Sequence, residues 1–314
     1  MGDTAISWTD KTWNPVVGCS IVSPGCTNCY AMKMAGRIAH MDSLSHYHGT
    51  TKIVKRNTVW TGKLVQAPEH ILMAPLKWKK PCRIFVNSMG DLFHEDVPDE
   101  WIDKVFAVMA LCPQHTFQVL TKRSKRMLEW ATEMMRPTRI VQAAPSISQV
   151  GKGLMVCNTD WPLPNVWLGV SAEDQARADE RIPDLLATPA AVRFVSAEPL
   201  LGPIDFTNFT PAHSMSWAAS TYTGNDDVER DDLFGRPVNG PNWIIAGGES
   251  GPDFRPMQIE WAQAIRQQCA EAGTAFFFKQ DASFRSGQRG RASDALWACK
   301  KFPAPANPTP AKDR

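Results

Sequence analysis

Six short apolar runs recur along the chain, and most are separated by stretches with the apolar spacing of amphipathic helices. Short runs rich in β-branched and aromatic residues are typical of strands that are buried on both faces. The runs span residues 83–87, 116–120, 165–170, 191–196, 243–246 and 274–278. Strands that alternate with helices predict parallel βαβ units, because a crossover must carry the chain back before the next parallel strand begins.

The number of these units predicts the architecture. With an earlier strand near 13–17, six or seven units in 314 residues favour an α/β fold built as a partial or complete (β/α) barrel. An open doubly wound sheet is the alternative. We expect one barrel-like domain over 1–283, long loop insertions near 34–80, 136–164 and 206–242, and a loose C-terminal tail over 284–314.

Charge and hydropathy argue against several classes of protein. The chain carries 34 basic and 32 acidic side chains, so its formal net charge is +2 and it is not a general polycation. Its first residues lack the basic and apolar segments of a signal peptide, and no apolar run approaches the roughly 20 residues of a membrane helix. We therefore expect a cytoplasmic protein without membrane contact, in which thiols stay reduced.

Three of the eight cysteines lie in one short loop, residues 18–30, which we call the cysteine loop. Cys19, Cys26 and Cys29 have the spacing C-x6-C-x2-C, and Pro24-Gly25 predicts a turn that folds the loop back. Thiolates select zinc or iron–sulfur clusters. The other five cysteines have no partner at ligand spacing and are expected to be packing residues, at positions 82, 112, 157, 269 and 299.

Two metal sites are compatible with three thiolates. A zinc site would need a fourth ligand, for which the nearest candidates are His40, His46 and His48. A cubane cluster held by only three thiolates would instead keep one iron open, as catalytic zinc keeps an open position, and an open iron can bind a substrate or a cofactor.

Polar or charged residues follow each of the six predicted strands. In a parallel barrel these strand ends meet at one mouth, where active sites lie. The alternative role for each carboxylate is a salt bridge between neighbouring strand ends. The candidate site residues are Ser88, Gly90, Asp91, Lys122, Arg123, Ser171, Glu173, Glu198, Gly247, Gly248, Glu249 and Lys279.

A three-cysteine loop after the first strand of a (β/α) barrel resembles the radical S-adenosylmethionine superfamily. The resemblance implies a [4Fe–4S] cluster on Cys19, Cys26 and Cys29, whose fourth iron chelates S-adenosylmethionine and delivers the electron that cleaves it to methionine and a 5′-deoxyadenosyl radical. The superfamily's usual loop is C-x3-C-x2-C with an aromatic residue before the last cysteine. This chain departs from it, with a first gap of six, Asn28 before Cys29 and Tyr30 after it.

More closely, the chain resembles a phage-associated family that is marked by a three-Cys motif and has no established reaction. The resemblance covers residue 7 to about 281, and its motifs include Trp13-Asn14-Pro15, the cysteine loop, Asn87 to Phe93, Leu120 to Arg123, Ser196 to Leu200, Gly247 to Pro252 and Phe278-Lys279-Gln280. The Asp91 and Thr121-Lys122 blocks also resemble the spore photoproduct lyase branch, whose members repair DNA.

The superfamily resemblance implies roles for the residues at the mouth. Asp91, next to Ser88 and Gly90, would accept from the cofactor's ammonium group, and Lys122 or Arg123 would pair with its carboxylate. Tyr30 would contact the cofactor, Ser171 and Glu173 would bind its ribose, and Gly247-Gly248 would let a ligand approach the backbone closely. The candidate catalytic residues, which would act on the substrate, are Glu198, Glu249 and Lys279.

These observations leave two functions open. The first is an iron–sulfur enzyme that receives electrons from a reductant protein and acts on an unknown substrate, with nucleic acid favoured by the resemblances and by basic clusters around residues 77–83, 122–126 and 285–291. The second is a non-enzymatic zinc or iron–sulfur binding module that acts with a protein partner. Hydrolysis by the carboxylates is the least favoured, because it leaves the cysteine loop without a purpose.

Overall fold

The computed structural model describes residues 4–148, 160–207, 209 and 240–304. Its strands are β1 (Lys11–Trp13), β2 (Val16–Val17), β3 (Thr51–Val54), β4 (Asn57–Trp60), β5 (Val65–Gln66), β6 (Arg83–Val86), β7 (Thr116–Thr121), β8 (Val166–Ser171), β9 (Val192–Ala197), β10 (Trp243–Ala246) and β11 (Ala275–Phe278). Its α-helices are α1 (Tyr30–Ile38), α2 (Glu69–Leu72), α3 (Asp99–Ala110), α4 (Ser124–Thr132), α5 (Arg136–Ser148), α6 (Gln175–Ala187), α7 (Ile259–Glu271) and α8 (Asp294–Trp297).

One curved sheet organises the molecule. It has seven strands in the order β1-β6-β7-β8-β9-β10-β11, and every neighbouring pair is parallel. The edge strands β1 and β11 do not pair with each other, so the sheet is a half-barrel with helices around it. The prediction of an α/β fold with a partial barrel is confirmed at this level, and all six predicted strands are present together with the earlier one.

Two apolar layers cover the two faces of the sheet. The outer layer packs the sheet against the helices, and includes Ile102, Val105 and Met109 of α3. The inner layer fills the concave face with large side chains, namely Trp8, Phe85, Trp167, Val192, Phe194, Trp243, Ile245 and Phe277. A Cβ on Gly169 would lie 2.6 Å from the Phe194 ring, so a glycine is required there for the inner layer to pack.

The inner layer explains why this half-barrel does not need a closing strand. Trp8, which precedes β1, packs edge-on against Trp243 of β10, with 6.2 Å between the ring centroids. At the other end of the chain, Phe302 packs against Trp243 and Phe277, and the Arg83 guanidinium lies over its ring. Both ends of the described chain therefore cover the open side of the sheet with aromatic rings.

The predicted insertions have structure of their own where they are described. Residues 34–80 hold the end of α1, the antiparallel hairpin β3–β4, and β5, which pairs with β2. The segment 136–164 begins with α5, whose Arg136 forms buried ion pairs with Asp99 and Asp103 of α3. The insertion 206–242, with its acidic run, lies outside the described residues except for 206, 207, 209 and 240–242.

Residues 284–304, the first part of the predicted C-terminal tail, contact the rest of the domain at several points. Leu296 and Ala292 are buried in the outer layer, and Lys300 forms an antiparallel bridge with Phe277 of β11. The glycine- and arginine-rich composition concealed these few apolar anchors. Residues 305–314 lie outside the described part of the chain. In that described part, no helix has both the length and the apolar character needed to cross a membrane.

Substitution of Phe302 tests whether this C-terminal segment belongs to the fold. Phe302→Ala removes a ring that contacts Trp243 and Phe277, so we expect the free energy of unfolding to fall by about 2 kcal/mol. Phe284→Ala is the matched control, because its ring is 63% exposed and its loss should change stability by less than about 0.5 kcal/mol. Urea unfolding measures both variants, and equal stabilities would contradict the packing described here.

Candidate functional site

A cavity of about 230 Å³ lies at the carboxyl ends of the parallel strands, where the barrel mouth was predicted. All three cysteines of the cysteine loop line it. So do most of the other predicted site residues, namely Tyr30, Ser88, Gly90, Asp91, Lys122, Arg123, Ser171, Glu198, Gly248, Glu249 and Lys279. Glu173 and Gly247 are not among the lining residues. Because parallel strands end at the same edge of the sheet, residues distant in sequence meet here.

The cysteine loop begins directly after β2, which pairs with β5. Gly18 has φ +96°, bridges Gly90, and donates its N–H to the Met89 carbonyl at 3.2 Å. A Cβ on Gly18 would lie 2.0 Å from the Lys63 carbonyl oxygen, so only glycine fits. The predicted turn is confirmed as a 3-10 turn over Pro24–Cys26, and Cys29 directly precedes α1.

The environment of Cys19 and Cys29 favours their protonated form when no metal is bound. Burial raises the pKa of Cys19 to about 12, the Asp91 carboxylate adds to this shift, and the Arg123 guanidinium opposes it. Burial is also the main reason why the pKa of Cys29 is raised. Metal binding needs thiolates, so loading this site must release protons.

Asp91 and Arg123 form the first of three anchors that hold the cysteine loop. Their side chains are buried and make an ion pair, with Arg123 Nη1 3.1 Å from Asp91 Oδ2. Arg123 Nη2 donates to Ser20 Oγ at 2.8 Å and to the Ser20 carbonyl, and its Nη1 lies 3.5 Å from Cys19 Sγ. Arg123 therefore ties the first cysteine to the end of β7.

This geometry corrects the cofactor roles assigned to Asp91 and Arg123. Asp91 already accepts four hydrogen bonds, from the Phe93 and Lys122 backbone N–H groups, Thr121 Oγ1 and Arg123 Nη1. A carboxylate has about four acceptor sites, so none remains for a ligand ammonium. Arg123 is equally committed, because its Nε donates to Glu95 while both terminal nitrogens donate to Asp91 and the loop.

Glu173 provides the second anchor, at the end of β8. Its fully buried carboxylate accepts from the Gly25 N–H at 3.0 Å and from Arg181 Nη1 at 3.1 Å. Burial alone would raise the pKa of Glu173, but Lys122, Ser23, Arg181 and Gly25 outweigh it and lower that pKa. The predicted contact with a ribose is therefore corrected. Glu173 holds the turn before Cys26 and does not face the cavity.

Glu249, at the end of β10, provides the third anchor. It accepts from Arg255 Nη2, Nε and backbone N–H, and from Asn28 Nδ2 at 2.9 Å. Arg255 also donates to the Pro24 carbonyl at 2.9 Å. Burial would raise the pKa of Glu249, but the bonds from Arg255 and Asn28 lower it. The predicted catalytic role of Glu249 is corrected to that of an anchor, because its acceptor sites are occupied.

Sequence reasoning missed Arg181, Arg255, Asn28 and His94, which complete these anchors. His94 is buried, accepts from the Asp96 N–H at Nδ1, and so presents its Nε2–H to Ser20 Oγ at 2.8 Å. Burial and the neighbouring Arg123 lower the pKa of His94. No motif marks these residues in the sequence, although Asn28 lies between the second and third cysteines.

Three charged groups that line the cavity make no contact that holds the cysteine loop. Glu198 and Lys279 form an ion pair across the ends of β9 and β11, with 3.2 Å between Oε1 and Nζ, and Ser196 Oγ donates to Glu198 Oε2. The Lys122 ammonium makes neither a hydrogen bond nor an ion pair with any residue of the described ranges. These groups, unlike Asp91 and Glu249, are not committed to the cysteine loop.

The glycine pair 247–248 is needed for packing. A Cβ on Gly247 would lie 2.7 Å from Glu198 Oε1, and one on Gly248 would lie 2.2 Å from the Ala282 backbone nitrogen. Gly248 also lines the cavity, so the close approach of a ligand to the backbone stays a prediction for this position. Tyr30 and Ser88 are joined at the rim, where the Tyr30 hydroxyl donates to the Ser88 carbonyl at 3.1 Å.

The histidines considered as a fourth zinc ligand lie away from the thiols. His40, His46 and His48 do not line the cavity. Over the described residues, no group of three or more His, Cys, Asp and Glu side chains is arranged to hold a single metal ion.

One comparison with known proteins identifies the family. The family model described as "Protein of unknown function (DUF5131)" matches residues 3–300. The chain belongs to this DUF5131 family. The DUF5131 match includes the cysteine loop, all seven strands of the sheet and every residue that lines the cavity. Neither a curated protein nor a solved structure matches the chain.

Neutralising Glu249 tests its role as an anchor of the DUF5131 cysteine loop. Glu249→Gln weakens charge-assisted bonds to Arg255, so the loop should open more often and the thiols of Cys26 and Cys29 should react several times faster with iodoacetamide. Glu260→Gln, at an exposed site at the start of α7, should leave the rates unchanged. Quantitative mass spectrometry of the metal-free chain measures labelling, and unchanged rates in Glu249→Gln would contradict the anchor.

Alkaline pH should destabilise the metal-free protein through Cys19. Its pKa is about 12 when folded, against 9.0 for an exposed thiol, so between these values the folded chain keeps a proton that the unfolded chain loses. The contribution of Cys19 to the free energy of unfolding is therefore fully present below pH 9, and it is lost as the pH rises toward 12. We expect Cys19→Ser to lose about 1 kcal/mol less than the wild-type chain between pH 7.5 and pH 10. Equal losses in urea unfolding would disprove the raised pKa.

Proposed function

We propose that the protein is an iron–sulfur enzyme of the radical S-adenosylmethionine type. Cys19, Cys26 and Cys29 would hold a [4Fe–4S] cluster, and the adjoining cavity would bind S-adenosylmethionine and the substrate. The observation that carries this proposal is that the three thiols of one loop line a single cavity at the mouth of a parallel half-barrel.

The donor set suits a cluster better than a single ion. In a cubane each thiolate binds a different iron, so the thiols need not converge on one point as zinc ligands must. The other described cysteines, at 82, 112, 269 and 299, do not line the cavity, so three thiolates would leave one iron open. When bound, such a cluster supplies the electron that cleaves S-adenosylmethionine reductively.

The protein's own residues would divide into those that support the loop and those that contact ligands. Asp91, Arg123, Glu173 and Glu249 hold the loop in place. Lys122, with its unpaired ammonium, would bind the carboxylate of S-adenosylmethionine. Of the predicted catalytic residues, Glu198 and Lys279 remain suited to the substrate, because Oε1 and Nζ can share or transfer a proton at the cavity wall.

Charge placement supports nucleic acid as the substrate class. The β3–β4 hairpin turns at Lys55 and Arg56, which have φ values of 48° and 68° although neither is glycine. Together with Lys52 they are exposed and form no ion pair among the described residues. The same hairpin reaches the cavity through Trp60. Three unpaired cations on the hairpin that contributes Trp60 to the cavity wall suit a phosphate backbone.

The basic clusters predicted from the sequence give less support than this hairpin. Several of their arginines are already paired with carboxylates, as in Arg83–Asp10, Arg126–Asp99, Arg289–Asp294 and Arg291–Asp281.

A reductant protein would approach at the outer side of the cysteine loop, where Ile21 and Val22 are 50% and 43% exposed.

Anaerobic reconstitution tests the cluster. Wild-type chain should take up about four irons and four sulfides, while Cys26→Ala should fall to well below half of that content because one of three ligands is lost. Cys269→Ala is the matched control, since it removes another buried thiol far from the cavity. Iron and sulfide assays with electron paramagnetic resonance measure the outcome.

The reaction is tested with the reconstituted protein and a chemical reductant. It should release 5′-deoxyadenosine from S-adenosylmethionine, and Lys122→Met should weaken cofactor binding about tenfold through loss of a charge-assisted contact. Uptake of zinc and no iron would overturn the proposal. Intact folding and partner binding without 5′-deoxyadenosine would instead support a non-enzymatic binding module.

A further inference from the structure

The floor of the cavity is formed by Ile6, Trp8, Phe85 and Leu120, whose side chains belong to or pack on the inner aromatic layer. Trp8 and Phe85 lie with their ring centroids 4.7 Å apart. The thiols lie in a separate loop at the mouth, so the cavity has a thiol side and an apolar side. A cofactor that reaches a cluster must occupy the thiol side, which leaves the floor to another group.

Two hydrogen-bond donors at this floor have no partner in the described residues. They are Trp8 Nε1 and Asn87 Nδ2, which belong to residues that line the cavity and are each 2% exposed. A buried donor without a partner costs about 1–3 kcal/mol, so such groups are rare unless a ligand or water satisfies them. Both are donors only, and the missing partner must therefore offer acceptors.

Both donors belong to residues next to Phe85. Trp8 packs on the Phe85 ring, and Asn87 follows Phe85 by two residues, directly after β6. Phe85 is paired in register with Gln118 of β7, whose Nε2 donates to the Trp8 carbonyl and whose Oε1 is also without a partner. Three unsatisfied polar atoms therefore border one aromatic surface.

The backbone at Asn87 is held in an uncommon conformation that fixes its amide. Asn87 has φ +58°, its N–H donates to the Trp13 carbonyl at 2.8 Å, and its Oδ1 accepts from the Val16 N–H at 3.3 Å. With the oxygen committed, the amide cannot turn to offer its oxygen to a ligand. Its NH₂ group is therefore the part of this cavity-lining residue that lacks a partner, and strain of this kind is typical of ligand sites.

We propose that this floor binds a planar heterocycle that presents hydrogen-bond acceptors, such as a nucleobase of the substrate. The rings of Trp8 and Phe85 supply an apolar, aromatic contact, while Trp8 Nε1 and Asn87 Nδ2 donate to ring nitrogens or carbonyl oxygens. The identification of this group as substrate rests on the proposed radical enzyme, but binding of the heterocycle does not require the cluster.

Two conservative substitutions remove the donors one at a time. Trp8→Phe keeps an aromatic ring and loses the N–H. Asn87→Asp keeps the acceptor for Val16, tolerates positive φ, and replaces the NH₂ group with oxygen. Trp243→Phe is the matched control in the same inner layer, because its Nε1 is already satisfied by the Lys301 carbonyl at 2.9 Å and does not face the cavity.

Isothermal titration of the full chain with uridine and with adenosine, before and after reconstitution, measures binding. We expect about fivefold weaker binding of at least one nucleoside in Trp8→Phe and at least tenfold weaker binding in Asn87→Asp.

Trp243→Phe should bind as wild type but melt at a lower temperature. Trp8→Phe should also melt at a lower temperature, because its ring is buried against Phe85 and Trp243, so the two variants are distinguished by nucleoside binding. A short uridine oligonucleotide distinguishes a base within nucleic acid, which binds more tightly than the free nucleoside, from a free nucleoside substrate.

Three results would overturn the proposal. The first is that neither nucleoside nor the oligonucleotide binds. The second is that wild type and both donor variants bind equally well. The third is that S-adenosylmethionine completely displaces the nucleoside, which would assign the floor to the adenine of the cofactor. Failure to take up iron would refute the proposed enzyme alone, because nucleoside binding is measured in the metal-free chain as well.

Discussion

The ion pair between Asp91 and Arg123 is the interaction on which the cysteine loop most depends. Both side chains are buried, and each uses its full hydrogen-bonding capacity. A buried charge without its partner is strongly destabilising, so the two residues can only be present together. Since Arg123 also donates to Ser20 and contacts Cys19, folding of the sheet edge and placement of the first cysteine are a single event.

The other anchors repeat this arrangement at alternate strands. Glu173 after β8 and Glu249 after β10 hold the loop at Gly25 and Asn28, whereas Glu198 after β9 and Lys279 after β11 face the cavity without holding the loop. Support thus comes from the ends of β6, β8 and β10, ligand contact from the ends of β9 and β11, and β7 is followed by one group of each kind, Arg123 and Lys122. A loop with three thiols would otherwise be mobile, because such a short segment has little apolar surface to bury.

The sequence predicted the sheet well because its strands are buried on both faces and contain continuous apolar runs. It also predicted which residues meet at the mouth, since parallel strands must end at the same edge. It could not separate anchors from ligand-binding groups. Glu198 and Glu249 both follow a buried strand, and only their distances to Lys279 and Arg255 distinguish them. Arg255 lies in an irregular segment with no periodic pattern that could have marked it.

The committed and uncommitted groups together set the electrostatics of the cavity. Ion pairs neutralise the charges of Asp91, Arg123 and Glu249, which line the cavity, and that of Glu173, which lies behind its wall. The floor of the cavity is apolar. A charge on Lys122 or on the Glu198–Lys279 pair is therefore screened less than it would be in water, and it acts more strongly on a bound ligand. A small number of free charges is sufficient in such a site, because the anchors have already removed the competing ones.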